Sequence, residues 1–229
     1  MESDLYPERS NAELEELADE LNQNYFAYLE RPLTTPIPIE DIAEHFLGYS
    51  IDITDEGLFS DPKLLGGIDF EKNLILVNAS IEHHDGRYAF TVAHEIAHHT
   101  LHRETFMKSR AFDENEILCR EAAGKPQIEV EADRFAAALL MPSQAIHDAL
   151  KVLPLKPKVS TIGQAHGLAS ELVKNGSFDN VSNSAMINRL IDLKVVPKFI
   201  GYQTGRGRQG RGRPSLGMLF RRALAKLGI

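Results

Sequence analysis

The run His94-Glu95-Ile96-Ala97-His98 constrains this chain more than any other. The surrounding segment, Tyr88 to Leu101, carries Phe90, Val92, Ala93, Ile96, Ala97 and Leu101 around much of its circumference. It therefore reads as a mostly buried helix. Positions four apart share one helical face, so His94 and His98 point the same way and Glu95 projects from nearly the same side. A buried helix cannot carry His, Glu and His inward unless something polar meets them. Two imidazoles on one face suit a single divalent ion, and an adjacent carboxylate suits the handling of a water molecule beside it. The pattern predicts zinc-dependent hydrolysis with Glu95 as general base.

Such zinc sites usually take three protein ligands. The stretch QIEVEADRFAAALLM, Gln127–Met141, reads as a second helix with two acidic candidates, Glu129 and Glu131. Glu129 shares a face with Asp133 one turn on, and Ala132, Ala136 and Leu140 lie on or beside it, the small alanines allowing close approach to another helix. Glu131 is rotated by about 160–200° from Glu129 and faces the other way. Glu129 is therefore assigned as the third ligand. Asp133 is assigned as acceptor for the free N–H of a ligating imidazole. His102, one turn beyond His98, is given the same supporting role. His99, Tyr88 and Arg103 are close in sequence but give no basis for choosing an oxyanion donor, and His83 and His84 read as solvent-facing.

The two runs HEIAHHTLH (94–102) and IEVEADRFAAALLMP (128–142) together resemble the ImmA/IrrE family of metallopeptidases. The family shows H-E-x-x-H, then an E-x-x-A-x-x-F-A segment ending in Leu-Leu-Met-Pro. Here these are Glu129, Ala132, Phe135, Ala136, then Leu139, Leu140, Met141 and Pro142. The stretch VSNSAMINRLIDL (181–193) resembles a further family segment, and the likeness runs over about residues 10 to 195. The resemblance implies an α+β, gluzincin-like peptidase whose third ligand is the Glu of E-x-x-A. It also implies a substrate class, DNA-binding repressors of the helix-turn-helix type encoded nearby. A metal-binding regulator that holds such a repressor without cutting it is the alternative. The ligand set also accepts Mn²⁺ or Fe²⁺.

The chain of 229 residues suits a metallopeptidase domain over 1–142, with metal helices at 88–101 and 127–140, a helical, helix-turn-helix-like subdomain over 143–200, and a tail over 201–229. The total charge is −8, but the tail holds seven Lys and Arg and no acid, which leaves −15 on residues 1–200. An acidic body does not suit nucleic-acid binding, and only weak contact by the Gly/Arg-rich tail is compatible with it. The chain has a single cysteine, Cys119, which excludes an internal disulfide and reads as a lone thiol. A polar N-terminus and the lack of a long apolar run predict a cytoplasmic protein without a membrane span.

Coarser signals place the remaining elements. Ser10 and Glu13 form a capping-box pattern ahead of an amphipathic helix over 11–30. Pro38 opens a short helix to Leu47, closed by Gly48. Residues 49–54, 64–70 and 74–78 read as strands, the last two joined by Glu71-Lys72-Asn73 as a hairpin. Such a hairpin has two uses, completing the core or offering an edge to an extended peptide. Beyond Pro142, helices are expected over 144–151, capped by Ser143, over 160–174, and over 184–193, capped by Ser182 or Asn183. With only Arg189 and Lys194 near it, the last helix reads as a packing or docking element rather than a DNA reader.

Overall fold

A computed structural model describes residues 8–110, 127–153 and 159–199. Cys119, the prolines at 154 and 157 and the tail from 201 onward lie outside these residues. The fold is α+β, with seven α-helices and one three-stranded sheet among the described residues.

Helix α1 (Asn11–Tyr28) starts where expected: the Ser10 hydroxyl accepts from Glu13 N, and the Glu13 carboxylate accepts from Ser10 N at 2.7 Å. Its buried stripe is Leu14, Ala18, Leu21, Asn22, Tyr25 and Phe26. The segment after Pro38 begins as one α-turn, α2 (Ile39–Asp41), and continues over Ile42–Phe46 as a π-helix rather than a uniform α-helix. The wider turn delivers Leu47 N to Ile42 O, and Gly48 reverses the chain at φ +75°.

The strands are β1 (Ser50–Thr54), β2 (Gly66–Asp69) and β3 (Leu74–Asn78), in the order β1-β3-β2. β2 and β3 form the expected antiparallel hairpin, in which the Asp69 carboxylate accepts from Glu71 N and Lys72 N and Asn73 takes φ +50°. β1 pairs parallel to β3 with Ile51 opposite Ile75. β3 is thus central, and β2 is an edge. Ile75 and Val77 point into the core at 0 % exposure.

Helix α3 (Asp85–Arg110) carries the His-Glu-His run, and α4 (Gln127–Leu140) packs along it. α1 covers another side of α4. The later helices are α5 (Ser143–Val152), α6 (Ile162–Asn175) and α7 (Asn183–Asp192). Ser143 lies inside α5, which follows Pro142 without a side-chain cap, whereas Thr161 and Ser182 cap α6 and α7. Ile146, Leu168, Leu172, Met186 and Leu190 join the same continuous core as α1, α3 and α4. Gly86 allows the start of α3 to meet the chain entering α7, since a Cβ there would stand 2.7 Å from Ser182 N. Among the described residues, no helix is long and apolar enough to cross a membrane.

Arg189 is not a surface cation. It is 2 % exposed, donates from Nε to Met141 O at 2.9 Å, and grips both carboxylate oxygens of Glu15. The one arginine of α7 therefore ties α1 and the end of α4 together, in keeping with a packing role. Arg189→Ala is expected to destabilise the fold by about 3 kcal/mol, because it strands a partly buried carboxylate and a helix-terminal carbonyl together. Urea denaturation at equilibrium measures this, and a loss under about 1 kcal/mol would contradict the clamp.

Candidate metal centre

The spacing of four between His94 and His98 becomes geometry on α3. Their Nε2 atoms face each other at 3.1 Å. Glu129, in the first turn of α4, completes a triangle: Oε2 lies 3.3 Å from His94 Nε2, and Oε1 lies 3.4 Å from His98 Nε2. Bonds of about 2.0–2.1 Å to a tetrahedral zinc place neighbouring ligand atoms about 3.3 Å apart. The two nitrogens lie at about that spacing from each other, and each lies at about that spacing from one oxygen of Glu129. Two imidazole nitrogens that close to each other and to a carboxylate can share either a proton or a metal cation, and the donor set fits a divalent metal. Among the described residues these three are the candidate metal-binding group.

Each imidazole is held from behind. His94 Nδ1 meets Asp133 Oδ1 at 3.1 Å. His98 Nδ1 meets His102 Nδ1 at 2.9 Å. Asp133 and Glu129 lie on one face of α4, as the spacing predicted for two acids one turn apart. Glu131 does not join the triangle, yet it is not solvated either. It is 0 % exposed, with Arg9 and Gln127 on its carboxylate and His102 Nε2 3.7 Å away.

The electrostatics favour positive charge at the triangle. Burial alone would lower the His94 pKa, but hydrogen bonds to Asp133 and Glu129 and the charges of Glu129 and Glu95 raise it to about 10. Burial would raise that of Glu129, yet its contacts with His94 and His98 hold it well below the usual carboxylate range. His102 is the reverse case: burial, then the positive charges at His98 and Arg9, depress it to about 2 and keep it neutral.

Glu95 is 1 % exposed, and its Oε2 has no hydrogen-bond partner among the described residues. Burial raises its pKa against the pull of His94 and His98. Its Oε1 lies against β2, 3.0 Å from where a Cβ on Gly66 would stand, and that same Cβ would be 2.4 Å from Thr91 Cγ2. Gly66 therefore lets the edge strand lie directly on Glu95, a role signalled in the sequence only by glycine inside a strand.

The neighbours in sequence are occupied elsewhere. His99 Nδ1 bonds the Tyr49 hydroxyl at 2.8 Å, with Arg103 acting on the same pair. Tyr88 bonds Glu40, and burial together with that acid raises its pKa. His83 and His84 are exposed. Sequence reasoning missed Arg9, which precedes a helix cap and has no motif around it.

One equivalent of zinc is expected per chain, and His94→Ala or His98→Ala should abolish it. Glu129→Gln should weaken uptake strongly and Asp133→Asn by about 10–100-fold. Chelator-competition titration with metal analysis checks all four, and less than about a tenth of an equivalent on the zinc-loaded wild type would sink the site.

A family model described as the IrrE N-terminal-like domain, of a peptidase family, matches residues 48–174. The span runs from just before β1 to the end of α6 and contains His94, Glu95, His98, Glu129, Glu131 and Asp133. α1 and α7 lie outside it. A search of curated proteins found no match. With more than half of its length matched, and the candidate metal-binding group within the matched span, the chain belongs to the IrrE N-terminal-like peptidase family.

Proposed function

We propose that this protein is a zinc-dependent endopeptidase that cleaves a helix-turn-helix repressor. The observation that carries the reading is the triangle of His94, His98 and Glu129 with the unpartnered Glu95 carboxylate beside it. Zinc, held by those three residues, would polarise the scissile carbonyl and acidify a water.

Glu95 acts as the general base. It takes a proton from the attacking water and returns it to the leaving amine nitrogen as the C–N bond breaks. Burial strips Glu95 of competing water, so its free oxygen is available to that proton. Asp133 and His102 fix the two imidazoles so that both Nε2 lone pairs converge. The outer edge of β2, Gly66–Asp69, is the place for the substrate backbone. Among the described residues β2 pairs on one side only, with β3, and at Gly66 the face of this strand lies against Glu95. An extended peptide adding there as a strand would present its carbonyls beside the triangle.

The repressor class rests on the resemblance in the two metal-binding segments. Charge supports it: residues 1–200 carry −15, which suits a basic, DNA-binding partner better than DNA itself. Such a role places the protein in the cytoplasm, as a regulator of transcription.

Glu95→Gln is nearly isosteric and cannot accept the water's proton. It should retain zinc and cut about 10²–10⁴-fold more slowly. The direct test is co-incubation with zinc and the product of any helix-turn-helix gene found beside this one, read by intact mass. Two fragments summing to the repressor plus one water are expected from wild type. An intact repressor that nonetheless co-purifies with the protein would favour a silent regulator instead, and wild-type cleavage by Glu95→Gln would remove Glu95 as the base.

A further inference from the structure

We infer that Glu131, seated by Arg9, is a positioning residue for the metal ligand His98, acting through His102. The inference rests on the metal reading above. It extends the support of the centre to the segment ahead of α1, outside the span matched by the family.

The argument follows protons along the chain of contacts. His98 turns Nε2 toward Glu129 and His94, so a metal would take that lone pair. A neutral imidazole that ligates through Nε2 carries its proton on Nδ1. His98 Nδ1 lies 2.9 Å from His102 Nδ1, so His98 must donate and His102 must accept. His102 is then left with its proton on Nε2. That atom faces Glu131 Oε2 at 3.7 Å, and both side chains are within 1 % of complete burial. The carboxylate on the far side of His102 lies beyond hydrogen-bond length and selects this tautomer through its charge, which in a buried setting favours a proton on Nε2 and disfavours a lone pair there. The opposite tautomer would point two lone pairs or two protons at each other across 2.9 Å.

Arg9 holds that carboxylate in place. Its backbone N donates to Glu131 Oε1 at 3.1 Å, and its Nη1 lies 3.4 Å from Oε2. Its Nη2 donates to Leu101 O at 3.0 Å, on the same turn of α3 as His102. Arg9 therefore bridges the two metal helices, one through a side chain and one through a carbonyl. Gln127 Nε2 adds a further donor to Glu131 at 3.1 Å. The arrangement parallels Asp133 behind His94, with a histidine interposed.

The test is a double-mutant cycle on zinc affinity, read by chelator competition and by the absorption spectrum of the cobalt-substituted protein. Glu131→Gln is expected to weaken zinc about tenfold and to shift the cobalt bands. His102→Phe should cost at least as much. Adding Glu131→Gln to His102→Phe should cost nothing further, because the relay is already cut. Asn180→Ala, which removes a hydrogen bond to Ile37 O between two residues outside both α3 and α4, should lower Tm and leave zinc affinity unchanged. If Glu131→Gln loses its fold, Arg9→Gln/Glu131→Gln carries no stranded buried charge from this pair and should show the same tenfold loss. Zinc affinity of Glu131→Gln within about twofold of wild type, or additive losses in the cycle, would overturn the inference. Wild-type protein that takes up no zinc would overturn the metal reading and this inference with it.

Discussion

The structure depends on burying two carboxylates and two imidazoles between α3 and α4. Neither helix could present those groups to an apolar neighbour, since unpaired polar groups in the interior cost several kcal/mol. Facing each other, they satisfy one another: Asp133 takes His94 Nδ1, and Glu129 stands across both Nε2 atoms. Opposite charges stabilise each other where the donor atoms meet: the surrounding acids raise the His94 pKa, and the two imidazoles lower that of Glu129. A cation is what such a site stabilises.

Placing Glu129 that well requires α4 to be fixed along its length. At its end, Asn22 donates to Leu139 O and Arg189 donates to Met141 O. Helix-terminal carbonyls have no partner inside the helix, and a guanidinium there also meets the negative end of the helix dipole. At its start, Arg9 and Gln127 hold Glu131. The braces from α1 and α7 come from outside the segment shared with the family. The shared segment supplies the chemistry, and the flanking helices supply the rigidity that holds α4 against α3.

Much of this was legible from residue spacing. The i, i+4 histidines, the Glu129–Asp133 pair and the Ser10–Glu13 cap each need only one helix and its 3.6-residue period, so they appear where the periodicity puts them. Two features were not legible for the same reason in reverse. The π-turn over Ile42–Phe46 departs from the 3.6-residue period by which helices are read. The parallel pairing of β1 with β3 joins segments whose alternation says nothing about which neighbour they choose.

Glu131 marks where local reading stops. From its own helix it is only the acid that faces away from Glu129, and a charge that faces away from a site is ordinarily solvated. Tertiary packing reversed that outcome by bringing Arg9 from 122 positions upstream and His102 from the other metal helix onto it. Likewise, Gly66 reads as a weak point in a strand until Thr91 and Glu95 are found where its side chain would be. The sequence by itself determined that His94, Glu95 and His98 share one side of one helix and that Glu129 and Asp133 share a face of another, because each is a matter of periodicity within a single helix. Only the tertiary structure decided what holds those residues still, because long-range contacts leave no period in the chain.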